Sequence, residues 1–337
     1  MNETMLENGL DFILDATRQL ALAEETKDVA VRARAIKYSL LHLLAGTELV
    51  MKARLYIENW TYIFADMNRA DRQMLANGSL KTVDSSKCVD RLKRLCNIDL
   101  SEKDQAAFEN LRKRRNCVEH FKVTDDVRAM EAVINKALSA TMTFLEICYD
   151  EFSRPSMVNL KSDDVKEMTE NENHLMGEIT RCVAQLNKHY KDAVKLATEL
   201  ADKQGACLED ERLECPSCGE KLLVPDGGRC HCYLCGYEAD GEEAARQYLA
   251  DVKNLDEYRI VKYGSTYPLY TCPECGEQSF VNVGDKYECF SCRMNYPVED
   301  IKFCSDCGEV YVNSNDNDEC NLCPDCIAYK MDEWDKN

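Results

Sequence analysis

The stretch KDVAVRARAIKYSLLHLLAGTELVMKARLYIE, residues 27–58, decides how the first half of the chain folds. Its pattern predicts one long helix, and apolar residues occupy nearly every side of that helix between Ile36 and Leu49. A helix that is apolar nearly all round is buried among other helices. We therefore expect residues 27–58 to lie at the centre of an all-helical domain.

The segments around this stretch predict further helices. An amphipathic pattern begins at residue 5, and Ser101 followed by Asp104 signals the start of another helix. Strand signals are nearly absent before residue 152, so residues 1–155 are predicted to form an antiparallel helical bundle. Residues 156–210 predict a helical connector, which could pack on the bundle, form a dimer arm or act as a spacer. The helices predicted in the bundle cover residues 5–24, 27–58, 85–96, 102–120 and 125–152, and residues 60–84 form a less regular connection.

Fourteen of the 20 cysteines fall between Cys215 and Cys326. They form three repeats, each with two C-x-x-C pairs separated by a loop. In each of the first two repeats, 13 residues separate the two pairs. Two such pairs hold one Zn(II) in a tetrahedron of four thiolates. The predicted ligands are Cys215, Cys218, Cys232 and Cys235; Cys272, Cys275, Cys289 and Cys292; and Cys304, Cys307, Cys323 and Cys326.

These repeats predict three small, β-rich zinc ribbons with structural zinc, because four sulfur ligands leave no open position for water. Two ligand choices stay open. Cys230 competes with Cys232, and Cys320 competes with Cys326. The predicted modules are ribbon 1 at 211–240, a helical spacer at 241–262, ribbon 2 at 263–299 and ribbon 3 at 300–337.

Charge separates the two halves of the chain. The formal net charge is −19, and residues 211–337 carry 26 acidic and 12 basic residues, a net of −14. Nucleic-acid binding requires that phosphates be neutralised, so the acidic ribbons favour a protein-binding, oligomerising or sensing role. The first residues lack the basic start of a signal peptide, and the apolar run 38–51 is too short and too polar to span a membrane. We therefore expect a cytoplasmic protein that does not enter a membrane.

The stretch LRKRRNCVEHF, residues 111–121, places four consecutive basic residues, Arg112 to Arg115, in the nearly neutral first half. On a helix, Arg112, Asn116 and His120 share one face. A guanidinium binds phosphate bidentately and histidine titrates near neutral pH, so the set suits phosphodiester chemistry that needs no metal. Arg112, Lys113 and Arg114 are candidate phosphate-binding residues. The alternative for Lys113 and Arg114 is that they are solvated surface residues. The spacing of the arginines and the histidine by itself also fits a solvated basic helix face that ends in a histidine.

In its helical setting this stretch resembles the motif of the HEPN family, R-x4-6-H with a polar residue directly after the arginine. The matching residues are Arg115, Asn116 and His120, and the helix YSLLHLLAGTELVMKARL at 38–55 is similar to the second helix of HEPN domains. The resemblance covers roughly residues 5–152. It implies an antiparallel helical bundle that dimerises and brings two motifs into one cleft. Many members are metal-independent ribonucleases in toxin–antitoxin and antiviral defence systems, whereas others have lost the motif and only bind.

The expected chemistry follows from these residue types. RNA supplies its own nucleophile, the 2′-OH, and His120 would be the general base or acid. Arg115 would stabilise charge on the phosphate, and Asn116 would orient His120 or bind a phosphate oxygen. Glu48 and Lys52, one turn apart, are expected to form either a buried ion pair that supports the motif helix or an ordinary pair within their own helix. His42 is interpreted as a satisfied residue of the apolar core.

A homodimer would supply a second histidine, and an antitoxin or other protein partner could bind the ribbons. The leading hypothesis is a dimeric endoribonuclease that leaves a 2′,3′-cyclic phosphate. Its rivals are a non-catalytic adaptor and a regulator that binds nucleic acid through the ribbons.

Overall fold

The computed structural model describes residues 4–79, 81–120, 127–153, 170–203, 212–312 and 321–335. The chain divides into two units, Met1–Ala193 and Val194–Asn337. The first is helical, and the second carries small antiparallel sheets beside clusters of cysteines. Among the described residues, no helix combines the length and apolarity needed to cross a membrane.

The first unit is a bundle built around α2, as the sequence predicts. Its helices begin and end within a few residues of the predicted bounds. They are α1 (Met5–Glu25), α2 (Val29–Glu58), α3 (Arg72–Ala76), α4 (Ser85–Cys96), α5 (Glu102–His120) and α6 (Val127–Ser153). Two short 3-10 turns, Trp60–Ile63 and Met67–Arg69, form most of the irregular connection before α3.

Close approach of α1 and α2 depends on two glycines. A Cβ added to Gly46 would lie 2.7 Å from the carbonyl oxygen of Gly9 and 2.7 Å from Cγ1 of Ile13. A Cβ on Gly9 would lie 2.9 Å from Cγ1 of Val50. All three distances are too short for a Cβ atom, so neither glycine can be replaced by a larger residue without a shift. The two helices therefore pack backbone against backbone at this level. The apolar core then continues from α2 to α4, α5 and α6.

A long helix, α7 (Glu170–Lys203), begins in the bundle. Leu175, Ile179 and Val183 belong to the same buried core as α1 and α2. Polar contacts add to this packing, because Thr4 Oγ1 donates to Glu172 Oε1 at 2.6 Å. Three arrangements are open for the predicted connector. Its described residues 170–186 take the first of them, because they pack on the bundle. Its residues 156–169 and 204–210 lie outside the described part of the chain.

The second unit contains the cysteine array, here meaning the described residues from 212 to 335. Its first module has β1 (Leu223–Asp226), β2 (Arg229–Cys232) and β3 (Glu238–Asp240) in one antiparallel sheet. The second repeats this order with β4 (Phe280–Asn282), β5 (Lys286–Cys289) and β6 (Asn295–Pro297). The third has a two-stranded sheet, β7 (Ile301–Phe303) and β8 (Val310–Val312).

Three helices complete the array. The predicted spacer contains α8 (Gly241–Gln247), a π-helical turn at Tyr248–Val252 and α9 (Glu257–Lys262). The last helix, α10 (Pro324–Asp335), follows the final pair of cysteines. In α8, the side chain of Asp240 accepts a hydrogen bond from the backbone N–H of Glu243, which caps the first turn.

The first and second modules interlock. Gly228 N–H donates to Ser291 O at 3.1 Å, and a Cβ on Gly241 would collide with Ser291 Oγ. The ring of Tyr248 packs against Phe290, with centroids 5.3 Å apart. The second and third modules share a small core, in which Ile301 and Val310 lie with Phe280. The three modules therefore pack on one another.

Candidate active site and metal centres

The motif helix α5 begins at a well-formed cap. Asp104 N–H donates to Ser101 Oγ at 3.1 Å, and Ser101 Oγ–H donates to Asp104 Oδ2 at 2.6 Å, as the sequence predicts. Leu111 is fully buried in the bundle core and fixes the rotation of the helix. Because of that rotation, the residues from Arg112 to Asn116 are all half-buried. They lie at the margin of the bundle, where water and a ligand have access.

Arg112 is held by an acidic neighbour. Its Nε lies 2.9 Å from Oε2 of Glu109 and its Nη2 lies 2.6 Å from Oε1, a bidentate pair within one helical turn. The hydrogen bonds to Glu109 raise the pKa of Arg112, and the carboxylates of Asp84 and Glu48 act in the same direction. Arg112 therefore stays charged, with part of its donor capacity engaged by Glu109.

Two of the three predicted catalytic residues are in contact. Nη1 of Arg115 donates to Oδ1 of Asn116 at 3.3 Å, and both side chains are half-buried. By helical spacing alone, Arg115 lies off the face that Arg112, Asn116 and His120 share. Its contact with Asn116 brings its guanidinium toward that face. His120 is the last residue of α5, and its side chain lies outside the described part of the structure. Lys113 and Arg114 are half-buried on the same helix.

Glu48 and Lys52 form the predicted pair on α2. Nζ of Lys52 lies 3.4 Å from Oε2 of Glu48 and 3.3 Å from Oγ1 of Thr82, and the lysine is 8% exposed. Burial raises the pKa of the neighbouring Cys88 thiol to about 12, so this cysteine is inert at neutral pH. Since Glu48 also acts on Arg112, a short electrostatic chain links the pair on α2 to the motif helix.

His42 is not the core residue that its place on an apolar helix predicts. Its side chain is 32% exposed, and Nδ1 lies 2.6 Å from Oδ2 of Asp15 on α1. The ring of Phe12 packs edge-on against it, with centroids 5.6 Å apart. The apolar pattern of α2 hides this position because His42 lies at the edge of the α1–α2 contact, where one side of α2 meets solvent.

The twelve predicted cysteines gather into three groups of four. Within each group the four sulfur atoms lie within 4.8 Å of one another. Neighbouring sulfur atoms are 3.7 to 3.8 Å apart, for example Cys215 with Cys235 and Cys218 with Cys232. A disulfide would need a separation of about 2.0 Å. A tetrahedron of sulfur with metal–sulfur bonds of about 2.3 Å has edges of about 3.8 Å, so the spacing fits a single metal ion in each group.

The turns that hold these sulfurs are alike. Gly219, Gly236, Gly276 and Gly308 each follow a C-x-x-C pair, have φ from 71° to 75°, and donate their N–H to the carbonyl of the first cysteine of the pair. Glycine adopts this left-handed conformation at little cost. In the pair Cys289–Cys292 the same position is Arg293, with φ 68°. Its side chain contacts Pro225 and Asp226 of the first module, which joins the two modules.

The structure separates Cys230 from the metal ligands. Its buried Sγ donates to the carbonyl of Phe290 at 3.1 Å, and burial raises the pKa of this thiol to about 12. Cys232 takes the place in the first group, as predicted. In the third group Cys323 and Cys326 lie beside Cys304 and Cys307. The alternative ligand, Cys320, lies outside the described residues.

The three groups differ in their exposure. All four cysteines of the first group are buried, whereas Cys275 of the second group and Cys307 of the third are exposed. Among the described residues, the third group lies beside a two-stranded sheet, whereas each of the first two lies beside a three-stranded sheet. A metal ion in the first group is therefore the best shielded from competing ligands.

A comparison with models of protein families, with curated proteins and with solved structures finds no match for this chain.

Proposed function

We propose that this chain is a metal-independent endoribonuclease of the HEPN type, active as a homodimer. The observation that carries the proposal is the contact between Arg115 and Asn116 on a half-buried helix that ends at His120. This is the arrangement of residue types that the HEPN motif implies, and it occurs in an all-helical bundle with a central apolar helix.

The proposed reaction uses the 2′-OH of RNA as the nucleophile. The 2′-oxygen bonds to phosphorus while the bond from phosphorus to the 5′-oxygen breaks. A histidine accepts the proton of the 2′-OH and a second group gives a proton to the leaving 5′-oxygen. Arg115 stabilises the charge on the phosphate oxygens, and Asn116 positions the histidine or binds one of these oxygens. The products carry a 2′,3′-cyclic phosphate and a 5′-hydroxyl.

Each subunit supplies one motif histidine, His120, so a homodimer would provide the acid–base pair. Lys113 and Arg114 are proposed to hold phosphates next to the cleaved bond. The bidentate pair with Glu109 engages part of the donor capacity of Arg112, and its proposed part is to hold the motif helix in register. Glu48 and Lys52 support that helix from α2.

The metal in the three cysteine groups is proposed to be zinc. Zinc favours four sulfur ligands in a tetrahedron and has no redox chemistry of its own. Such sites stabilise small modules, so the array is assigned a role in binding a protein partner or in sensing, and cleavage is assigned to the bundle. A cytoplasmic toxin or antiviral effector, restrained by an antitoxin or another partner at the array, is the biological role that fits both parts.

The test is cleavage of RNA by the full chain, followed by analysis of the end groups. His120→Ala and Arg115→Ala are expected to lower the rate by roughly 100-fold or more, the usual contribution of general acid–base catalysis and charge stabilisation. His174→Ala and Arg94→Ala are matched controls, because both side chains are exposed and lie on other helices. Equal cleavage by wild type and His120→Ala would overturn the proposal.

A second candidate is a non-catalytic adaptor with the same fold. The pair between Arg112 and Glu109 favours it, because that pair neutralises one of the four basic residues of the motif. An adaptor would leave RNA intact at every enzyme concentration and would still form a dimer. The same cleavage assay, with the mass of the assembly measured in parallel, separates the two candidates.

A further inference from the structure

An open groove of about 460 Å³ lies between α1 and α2, and neither the motif nor the cysteine groups use it. Small-molecule sites usually have about 300–1,000 Å³ and are mostly apolar with a few polar groups. This groove follows that pattern. Its lining residues are Gln19, Leu22, Val31, Arg34, Ala35, Tyr38 and His42.

The polar end of the groove is a built dyad. Nδ1 of His42 and Oδ2 of Asp15 are 2.6 Å apart, and the edge-on ring of Phe12 limits how the imidazole can turn. A carboxylate that accepts the Nδ1 proton leaves Nε2 of the imidazole available for another partner. His42 is thus held in one orientation at the groove by residues of α1.

Positive charge lies beside the apolar wall. The guanidinium carbon of Arg34 is 5.6 Å from the centroid of the Tyr38 ring, and Nζ of Lys37 is 4.9 Å from it. Within the described ranges of the chain, neither cation has a carboxylate at ion-pair distance. Arg32, two residues before Arg34, differs in this respect because it pairs with Glu131 at 2.7 Å. Two cations without an acidic partner are notable in a chain of net charge −19.

We propose that the α1–α2 groove binds a small organic anion, a carboxylate or a phosphate carried on a flat apolar ring. The ring would lie on Leu22, Val31 and Tyr38. The anionic group would face Arg34, with Lys37 adding positive charge near the Tyr38 ring, and His42 would supply one hydrogen bond. Leu22 and Val31 are 45% and 40% exposed, so the ring would cover apolar surface that now faces water.

Calorimetric titration of the full chain, with its metals bound, tests this site. The probes are phenyl phosphate and benzoate, with benzyl alcohol and inorganic phosphate as the separate halves of the ligand. At least one of the two anions on a ring is expected to bind roughly ten-fold or more tightly than either half alone. The stronger of the two identifies whether a phosphate or a carboxylate is preferred.

Arg34→Gln is expected to weaken that binding by roughly ten-fold, the usual loss when one charge-assisted hydrogen bond is removed. Arg34 is exposed, so the fold is expected to survive, and an unchanged melting temperature checks this. Arg18→Gln is the control, because Arg18 is an exposed arginine of α1 that pairs with Glu178. Absence of binding by both anions at millimolar concentration, or equal losses in Arg34→Gln and Arg18→Gln, would overturn the proposal.

Discussion

The helical bundle buries one continuous apolar core through α1, α2, α4, α5, α6 and the first part of α7, whereas the buried residues of the second and third modules of the cysteine array form small clusters. The larger of these clusters, which the two modules share, holds six buried residues, and two of them, Cys272 and Cys289, are metal-ligand candidates. A cluster of that size cannot offset the entropy lost on folding, so the metal has to supply the difference. The bundle needs no such ion.

This difference explains where chemistry can be placed. A bundle that is stable through its core can keep a row of basic, half-buried residues on α5 without losing its fold. The array commits its most reactive groups, the thiols, to holding itself together.

Metal removal should separate the two parts most clearly. A structural zinc contributes about 10–16 kcal/mol of binding free energy in small zinc modules, so a strong chelator should unfold the array and leave the bundle folded. Hydrogen exchange resolved by peptide would show loss of protection at residues 223–240 and 280–297, with protection kept in α1, α2 and α6. Retained protection in the array, or loss in both parts, would contradict the comparison.

Two neighbouring cysteines test the ligand assignment within the array. Cys232→Ala should remove one of three equivalents of bound metal, because Cys232 belongs to the first group of four. Cys230→Ala should leave the metal content unchanged, because the Cys230 thiol donates to Phe290 O instead. Elemental analysis of the purified variants measures both. A lower metal content in Cys230→Ala than in Cys232→Ala would reverse the assignment.

The bundle should respond to volume rather than to metal. Gly46→Ala adds a Cβ 2.7 Å from Gly9 O and from Ile13 Cγ1 and should cost about 1–3 kcal/mol, the usual price of overpacking. Gly177→Ala is the matched change in an exposed position of α7 with nothing within 4 Å, and it should gain up to about 1 kcal/mol. Urea unfolding followed by circular dichroism measures both. A neutral Gly46→Ala would mean that α1 and α2 lie further apart.

The pair on α2 should give the smallest effect. Glu48→Gln removes the charged partner of the 8%-exposed Lys52 and leaves its hydrogen bond to Thr82. This should cost about 1–2 kcal/mol, a value kept low because Glu48 is partly solvated. Lys52→Met in the same background should recover part of that loss, since no buried ammonium remains. A double-mutant cycle in urea measures the coupling. Additive losses would show that the two side chains act independently.

Local pattern predicts much of this molecule. The bounds of α1, α2, α4 and α5 follow from apolar period and caps such as Ser101 with Asp104, and the cysteine groups follow from repeated spacing. These features depend on residues close in sequence, which is why reading the sequence alone finds them.

Contacts between distant residues could not be predicted in the same way. The apolar stripe of α7 gives no information about its partner, so its packing in the bundle core, with ion pairs to α1, required the structure. Nothing near Gly241 in sequence indicates that it faces Ser291. The prediction for His42 is wrong because the apolar pattern of α2 does not show that one side of the helix meets solvent at this position. The pairing of Arg112 with Glu109, by contrast, has the ordinary i, i+3 spacing of an ion pair on a helix, so it could have been predicted from the sequence.

The central claim is that the bundle, and not the metal-bound array, carries RNA cleavage. The most direct measurement compares cleavage by wild type and His120→Ala after the metals have been stripped with a chelator that stays in the assay. Stripped wild type is expected to produce 2′,3′-cyclic phosphate ends still, and stripped His120→Ala is expected to produce none. Loss of cleavage in stripped wild type, or equal cleavage by both proteins, would contradict it.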